Sequence, residues 1–164
     1  MNLKRIFAAL AAGFITIIVL IVGGFLAWAN NSPAPELEAE QALISPASVT
    51  VTSERWLAFI PNNASTTGFV FYPGGRVRAE AYAPMAMALA EAGYLTVIVP
   101  MPANLAVFDR NAAERVIAAY PQINNWVMGG HSLGGSMAAS YAASAPEKVA
   151  GLVLWASLPA DNIS

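Results

Sequence analysis

The pentapeptide Gly130-His131-Ser132-Leu133-Gly134 is the stretch of this chain whose residue types and spacing could do covalent chemistry. Its pattern, G-x-S-x-G, fits a sharp turn that strains the serine backbone and leaves no room for side chains at the glycine positions. Such a turn exposes the serine hydroxyl and directs the next backbone N–H toward a developing oxyanion. Ser132 is therefore the candidate nucleophile and Leu133 a candidate backbone donor, with Gly130 and Gly134 as the glycines that the turn requires.

The flanking residues predict a strand before this turn and a helix after it. An apolar run over residues 126–129 precedes the pentapeptide, and an alanine-rich run over residues 133–145 follows it. A strand–turn–helix context is where G-x-S-x-G carries nucleophilic chemistry. The context favours that interpretation over the alternative, a tight turn with a serine that caps the helix.

A glycine-rich turn earlier in the chain offers a second backbone donor. The apolar run 68–72 predicts a buried strand, and it leads into Pro73-Gly74-Gly75-Arg76. Glycine suits this position because a backbone N–H can approach a substrate oxygen closely only where no Cβ intervenes. The predicted donor is the N–H of Gly75 or that of Arg76, and the alternative interpretation is an ordinary Pro-Gly turn.

The composition excludes several classes of function. The chain of 164 residues has a net charge of −2, no cysteine and a single histidine. This charge balance gives no electrostatic basis for binding nucleic acid. Without cysteine there is no disulfide, no thiolate metal site and no cysteine nucleophile, and one histidine excludes a histidine-cluster metal site. We expect neither a metal nor a cofactor.

The N-terminus predicts a membrane segment. An uncharged apolar run begins at Ile6, directly after Lys4 and Arg5, and its apolar core ends at Trp28. This length suits a helix that crosses a lipid bilayer. The preceding positive charges predict a signal anchor with a cytoplasmic N-terminus and an extracytoplasmic globular domain. The alternative is a signal peptide that is cleaved near Ala29, which would give a secreted product.

The chain divides into a transmembrane segment over residues 1–30, a linker over residues 31–46 and a domain over residues 47–164. Strands that alternate with helices predict a mainly parallel sheet flanked by helices, with an antiparallel hairpin at its start. The fold class is therefore α/β. The predicted strands cover residues 49–52, 56–60, 69–72, 95–99, 126–129 and 151–155, and the predicted helices cover residues 80–92, 111–120 and 133–145.

Three stretches together resemble the α/β-hydrolase fold superfamily over roughly residues 47–164. They are residues 71–75, which lead from the strand into the glycine-rich turn, the helix-then-strand segment 88–100, and the turn 130–135. The resemblance is nearest to the dienelactone-hydrolase-like branch, with serine in place of cysteine in the nucleophile turn.

The resemblance implies acyl transfer to water through an acyl-enzyme. Ser132 is the implied nucleophile, and the N–H of Leu133 is the first implied oxyanion donor, with Gly75 or Arg76 as the second. The implied substrate is a small ester-like molecule, which includes esters, thioesters, lactones and amides.

The sequence departs from the superfamily pattern after the nucleophile. The superfamily order is serine, then an acid, then histidine, but no histidine follows Ser132. We expect a structural role for His131, because adjacent side chains of an extended strand point to opposite faces. Asp109 and Asp161 are expected to be solvated loop residues. We therefore expect this chain to be the N-terminal portion of a longer hydrolase and to be inactive alone.

Two functions are consistent with these residues. One is a membrane-anchored, extracytoplasmic serine hydrolase whose acid and base are missing from this chain. The other is a non-catalytic pseudo-hydrolase that keeps the fold as a binding or scaffold protein. A sheet that lacks its last strands has an unpaired edge, so we also expect marginal stability and self-association through that edge.

Overall fold

The computed structural model describes residues 2–63 and 65–160 and divides the chain into two compact units. The first unit consists of helix α1 (Leu3–Asn30), which has 28 residues. The side chain of Asn2 caps its start by accepting a hydrogen bond from the N–H of Lys4. By length and composition α1 is a candidate membrane span or signal anchor, as the apolar run predicted.

The second unit begins at Ser32 and contains a six-stranded sheet. Its strands are β1 (Val49–Thr52), β2 (Leu57–Pro61), β3 (Thr67–Tyr72), β4 (Leu95–Ile98), β5 (Asn125–His131) and β6 (Gly151–Trp155). Their order across the sheet is β1-β2-β4-β3-β5-β6. The pairs β1–β2 and β2–β4 are antiparallel, whereas β3, β4, β5 and β6 run parallel to one another. The predicted hairpin and the mainly parallel sheet are confirmed.

Helices pack on both faces of this sheet. Side chains of β3 alternate between two buried clusters, because successive residues of a strand point to opposite faces. Val70 and Tyr72 join the cluster that contains helices α4 (Ala112–Ala119) and α5 (Leu133–Ser144), and Phe69 and Phe71 join the cluster that contains α3 (Ala83–Glu91). The helices of this unit are α2 (Leu37–Gln41), α3 (Ala83–Glu91), α4 (Ala112–Ala119) and α5 (Leu133–Ser144).

Burial on both faces explains why β4 reads as a continuous apolar run. Each residue of β4 is buried, which is typical of a parallel strand covered by helices on both sides. The predicted α/β class, with a mainly parallel sheet flanked by helices and preceded by an apolar helix, is confirmed.

Three segments differ in detail from the prediction. The helix predicted over residues 80–92 begins as a 3₁₀ turn (Ala79–Tyr82) before α3, since Pro84 is tolerated only in the first turn of an α-helix. Strand β5 continues as far as His131, directly before Ser132. Part of the segment predicted as a linker is folded, because α2 contacts α3 and buries Ala39.

Candidate active site

Ser132 connects β5 to α5 in a strained backbone conformation. Its φ is 50° and its ψ is −122°. A residue with a Cβ rarely adopts a positive φ, and such a conformation persists only where the surrounding contacts hold it. The N–H of Ser132 donates to the carbonyl oxygen of Trp155 at 2.9 Å, and the carbonyl of Ser132 accepts from the N–H of Ser136 at 3.1 Å. Contacts from β6 and from α5 therefore hold the turn on both sides of the serine.

The two glycines of the pentapeptide lie where no side chain fits. A Cβ on Gly130 would lie 2.5 Å from the carbonyl carbon of Gly134. A Cβ on Gly134 would lie 2.2 Å from the carbonyl oxygens of both Tyr72 and Pro73. These neighbours are backbone atoms that cannot rotate away. Glycine at position 130 lets the first turn of α5 pack against the end of β5, and glycine at position 134 lets it pack against the end of β3.

The loop after β3 places Gly75 beside the start of α5. A Cβ on Gly75 would lie 3.3 Å from Cδ2 of Leu133, so these two residues are neighbours. The N–H of Arg76 donates to the carbonyl oxygen of Asn104 at 2.8 Å. In the part of the chain that the structure describes, the N–H groups of Gly75 and Leu133 have no hydrogen-bond partner. Of the two predicted alternatives for the second donor, the N–H of Arg76 is thus occupied and that of Gly75 is available.

Tyr82 connects this loop to the strand end next to Ser132. Its hydroxyl accepts the N–H of Gly74 at 3.0 Å and lies 3.0 Å from Nδ1 of His131. Burial raises the pKa of Tyr82, and the hydrogen bond from Gly74 only partly offsets this effect, so the hydroxyl stays neutral. His131 is therefore engaged in a contact that holds the loop and the turn together.

The segment that follows β6 contacts the turn as well. The Oγ of Ser157 donates to the carbonyl oxygen of Ser132 at 2.7 Å, and the Oγ of Ser136 donates to that of Leu158 at 2.7 Å. An open groove of about 850 Å³ lies here, with Ser132 and Leu133 in its lining. Sequence reasoning missed Tyr82 and Ser157, because their partners lie 49 and 25 residues away in the chain and no local pattern marks them.

The two aspartates of the sequence analysis lie apart from this arrangement. Asp109, expected to be a solvated loop residue, lies in the connection before α4 and forms a two-point ion pair with Arg115 at the protein surface. Asp161 lies outside the described residues. Within residues 2–63 and 65–160, no group of three or more histidine, cysteine, aspartate or glutamate side chains is arranged to hold a metal ion.

A family model supports the class of protein that this fold and site define. The model of the alpha/beta hydrolase family matches residues 68–164, which is more than half of the chain. The chain therefore belongs to the alpha/beta hydrolase family. The resemblance found in the sequence is confirmed at the level of this superfamily.

Several solved structures share the fold. Francisella virulence factor BioJ matches with a TM-score of 0.58 and 16% identity, over 71% of this chain and 46% of that one. A hormone-sensitive lipase from a metagenome library matches with a TM-score of 0.56 and 18% identity, over 83% of this chain and 50% of that one. A bacterial heroin esterase matches with a TM-score of 0.54 and 20% identity, over 73% of this chain and 48% of that one.

These identities show a shared fold and nothing finer. The chain spans about half the length of each of the three structures. No curated protein matches the chain in sequence.

Proposed function

We propose that this chain carries the nucleophile of a membrane-anchored, extracytoplasmic serine hydrolase. Membership of the alpha/beta hydrolase family supports the reaction class. The observation that carries the proposal is the backbone of Ser132, which has a φ of 50° between a strand and a helix. A serine held in this way, beside two backbone N–H groups without partners, is suited to attack a carbonyl carbon and to stabilise the resulting oxyanion.

The proposed reaction is acyl transfer to water from an ester, thioester, lactone or amide. Oγ of Ser132 bonds to the acyl carbon, its proton passes to a general base, and the carbonyl oxygen becomes an oxyanion. The N–H groups of Leu133 and Gly75 donate to that oxyanion. The intermediate then expels the protonated leaving group, and water hydrolyses the acyl-enzyme. Loss of one such donor typically lowers kcat by about 10²–10³-fold.

We assign the acid and the base of the triad to residues outside this chain. The sequence has a single histidine, His131, and its Nδ1 lies 3.0 Å from the hydroxyl of Tyr82. A serine hydroxyl without a base is a weak nucleophile near neutral pH. The chain alone is therefore proposed to be inactive, or to retain only the residual catalysis that oxyanion donors provide, about 10³–10⁴-fold over water.

The engagement of His131 also favours a second candidate, a non-catalytic pseudo-hydrolase. Such a protein would use the groove beside Ser132 to bind an ester-like ligand without acylation. The two candidates differ in one respect that can be measured, since only the hydrolase requires the hydroxyl of Ser132.

The membrane anchor is proposed from α1 and the charges in its first turn. Lys4 and Arg5 lie at the start of α1 and precede its apolar run, which supports a cytoplasmic N-terminus. The mass of the mature protein tests this proposal. A product that retains α1 supports an anchor, whereas cleavage near Ala29 supports a secreted domain.

Labelling with a fluorophosphonate tests the hydrolase proposal. The probe is applied to the natural gene product. In parallel, the coding DNA is read past codon 164 to determine whether it encodes an acid and a histidine for the triad. We expect Ser132 to be labelled and Ser132→Ala to lose the label. Ser144→Ala, which removes a serine from the helix that follows Ser132, should keep it. An unlabelled product that binds an ester-like ligand equally well as Ser132→Ala would instead establish the pseudo-hydrolase.

A further inference from the structure

Ser157 contacts Ser132 and the first turn of α5 through both its Oγ and its Cβ. Its Oγ donates to the carbonyl oxygen of Ser132 at 2.7 Å and lies 3.3 Å from the Oγ of Ser136. A Cβ on Gly135 would lie 2.6 Å from both Cβ and Oγ of Ser157. The side chain of Ser157 therefore packs directly against the first turn of α5.

The carbonyl that Ser157 contacts belongs to the same peptide unit as the proposed oxyanion donor. The carbonyl of Ser132 and the N–H of Leu133 lie in one plane and point in opposite directions. A group that fixes the carbonyl therefore also fixes the direction of the N–H. A carbonyl that accepts hydrogen bonds also polarises its peptide, which makes the N–H a stronger donor.

The last residue of β6 and the segment after it hold the backbone of Ser132 from both sides. The carbonyl of Trp155 accepts the N–H of Ser132 at 2.9 Å, and the hydroxyl of Ser157 binds the carbonyl of Ser132. Between them, Ala156 has a φ of 43°, a tight bend that brings both groups to the same turn. Two contacts from one short segment thus hold a conformation that Ser132 would not keep unaided.

We infer that Ser157 is a positioning residue, whose hydroxyl holds the Ser132–Leu133 peptide so that the N–H of Leu133 is directed at the oxyanion. Its effect on catalysis rests on the proposed function. Its effect on the peptide rests on the contacts alone and can be measured without any substrate. Ser157 itself touches no reacting atom in this scheme.

An NMR experiment on the full chain in detergent micelles measures the peptide directly. An HNCO spectrum contains one cross-peak that joins the N–H of Leu133 to the carbonyl carbon of Ser132. We expect Ser157→Ala to move this cross-peak and Ser157→Thr, which retains the hydroxyl, to leave it near its wild-type position. Ser144→Ala is the matched control, because the Oγ of Ser144 donates to the carbonyl oxygen of Tyr141 at 2.8 Å in the same helix.

The rate of fluorophosphonate labelling of the natural gene product gives the functional readout. We expect Ser157→Ala to slow labelling by about tenfold, a part of the effect of losing an oxyanion donor, and Ser157→Thr to restore most of the rate. If Ser157→Ala does not fold, Ser157→Cys replaces it, because a thiol fills the place of the hydroxyl but donates weakly.

Two results would overturn the inference. One is an unmoved Leu133 cross-peak in the variant that lacks the hydroxyl. The other is a moved cross-peak with an unchanged rate of labelling. Absence of labelling in the wild type is a different result, because it refutes the proposed hydrolase function while the cross-peak still decides whether Ser157 fixes the peptide.

Discussion

Ser132 combines a side chain with a backbone conformation that suits glycine. At φ 50° and ψ −122°, a residue with a Cβ carries strain of about 1–3 kcal/mol. Glycine would relieve the strain but would lack a hydroxyl. A serine in this conformation is typical of a site where stability is given up for chemistry.

Two substitutions at position 132 separate the strain from the hydroxyl. Ser132→Ala removes the hydroxyl and keeps the strained Cβ, whereas Ser132→Gly removes both. We expect Ser132→Gly to unfold at a higher urea concentration than Ser132→Ala, by about 1 kcal/mol in free energy, because relief of the strain exceeds the extra chain entropy of glycine. Both variants should lose fluorophosphonate labelling. Equal stability of the two variants would show that the strain does not exceed the extra chain entropy of glycine, about 1 kcal/mol.

At the scale of elements, the sequence predicted the strands and helices well and their mutual contacts poorly. The runs that became β4 and β6 are apolar and bounded by turn residues, so local pattern suffices to find them. The contact between Tyr82 and His131 joins residues 49 apart, and only the fold brings them together. The hydrogen bond from the N–H of Arg76 to the carbonyl of Asn104 is of the same kind, because no local pattern in the sequence links these two residues.

Tyr82 links the 3₁₀ turn before α3, the glycine-rich loop and the end of β5. We expect Tyr82→Phe to leave the N–H of Gly74 without its acceptor and to lower the free energy of unfolding by about 1–2 kcal/mol. Labelling of Ser132 should also slow, because the loop that carries Gly75 loses its link to the turn. Urea unfolding and labelling rates measure the two effects.

Tyr94→Phe is the control for that substitution. Tyr94 is 45% exposed, and its hydroxyl has no hydrogen bond among the described residues. It should therefore match the wild type in both assays. If Tyr82→Phe also matched the wild type in both assays, the hydrogen bonds of Tyr82 would contribute neither to stability nor to labelling.

Glu114 connects α4 to α5 and to the residues that follow α5. Its carboxylate accepts a hydrogen bond from the hydroxyl of Tyr141 at 2.7 Å and forms an ion pair with Lys148. The hydrogen bond from Lys148, and then that from Tyr141, lowers the pKa of Glu114 below its ordinary value of 4.5. The folded state therefore favours the ionised carboxylate more strongly than the unfolded chain does.

This pKa shift predicts a loss of stability in acid. Because the folded pKa is depressed, the contribution of Glu114 is fully present above pH 4.5 and is lost as the pH falls through the folded pKa. We expect Glu114→Gln to flatten the dependence of the urea midpoint on pH below that value. Glu91→Gln removes an exposed carboxylate with no ion pair among the described residues, and it should keep the wild-type slope. If the urea midpoint depended on pH equally in both variants, Glu114 would not be the source of the loss of stability in acid.

At the scale of the whole molecule, the part of the sheet next to β6 exposes apolar side chains. Among the described residues β6 pairs with β5 alone. A groove of about 290 Å³ lies on this part of the sheet, with Phe69, Val127, Val153 and Trp155 in its lining. An exposed strand edge is a template for pairing with another chain, and apolar side chains next to it favour the same association.

We therefore expect the chain to self-associate through β6 in a concentration-dependent manner. Val153 is 41% exposed on this strand, and Val107, in a 3₁₀ turn outside the sheet, is 47% exposed. Val153→Lys should shift sedimentation of the detergent-solubilised chain toward the monomer, because a lysine on an edge strand opposes edge-to-edge pairing. Val107→Lys adds the same charge at similar exposure and should sediment as the wild type does. Since both variants retain α1, association through that helix would leave them indistinguishable and would refute the role of β6.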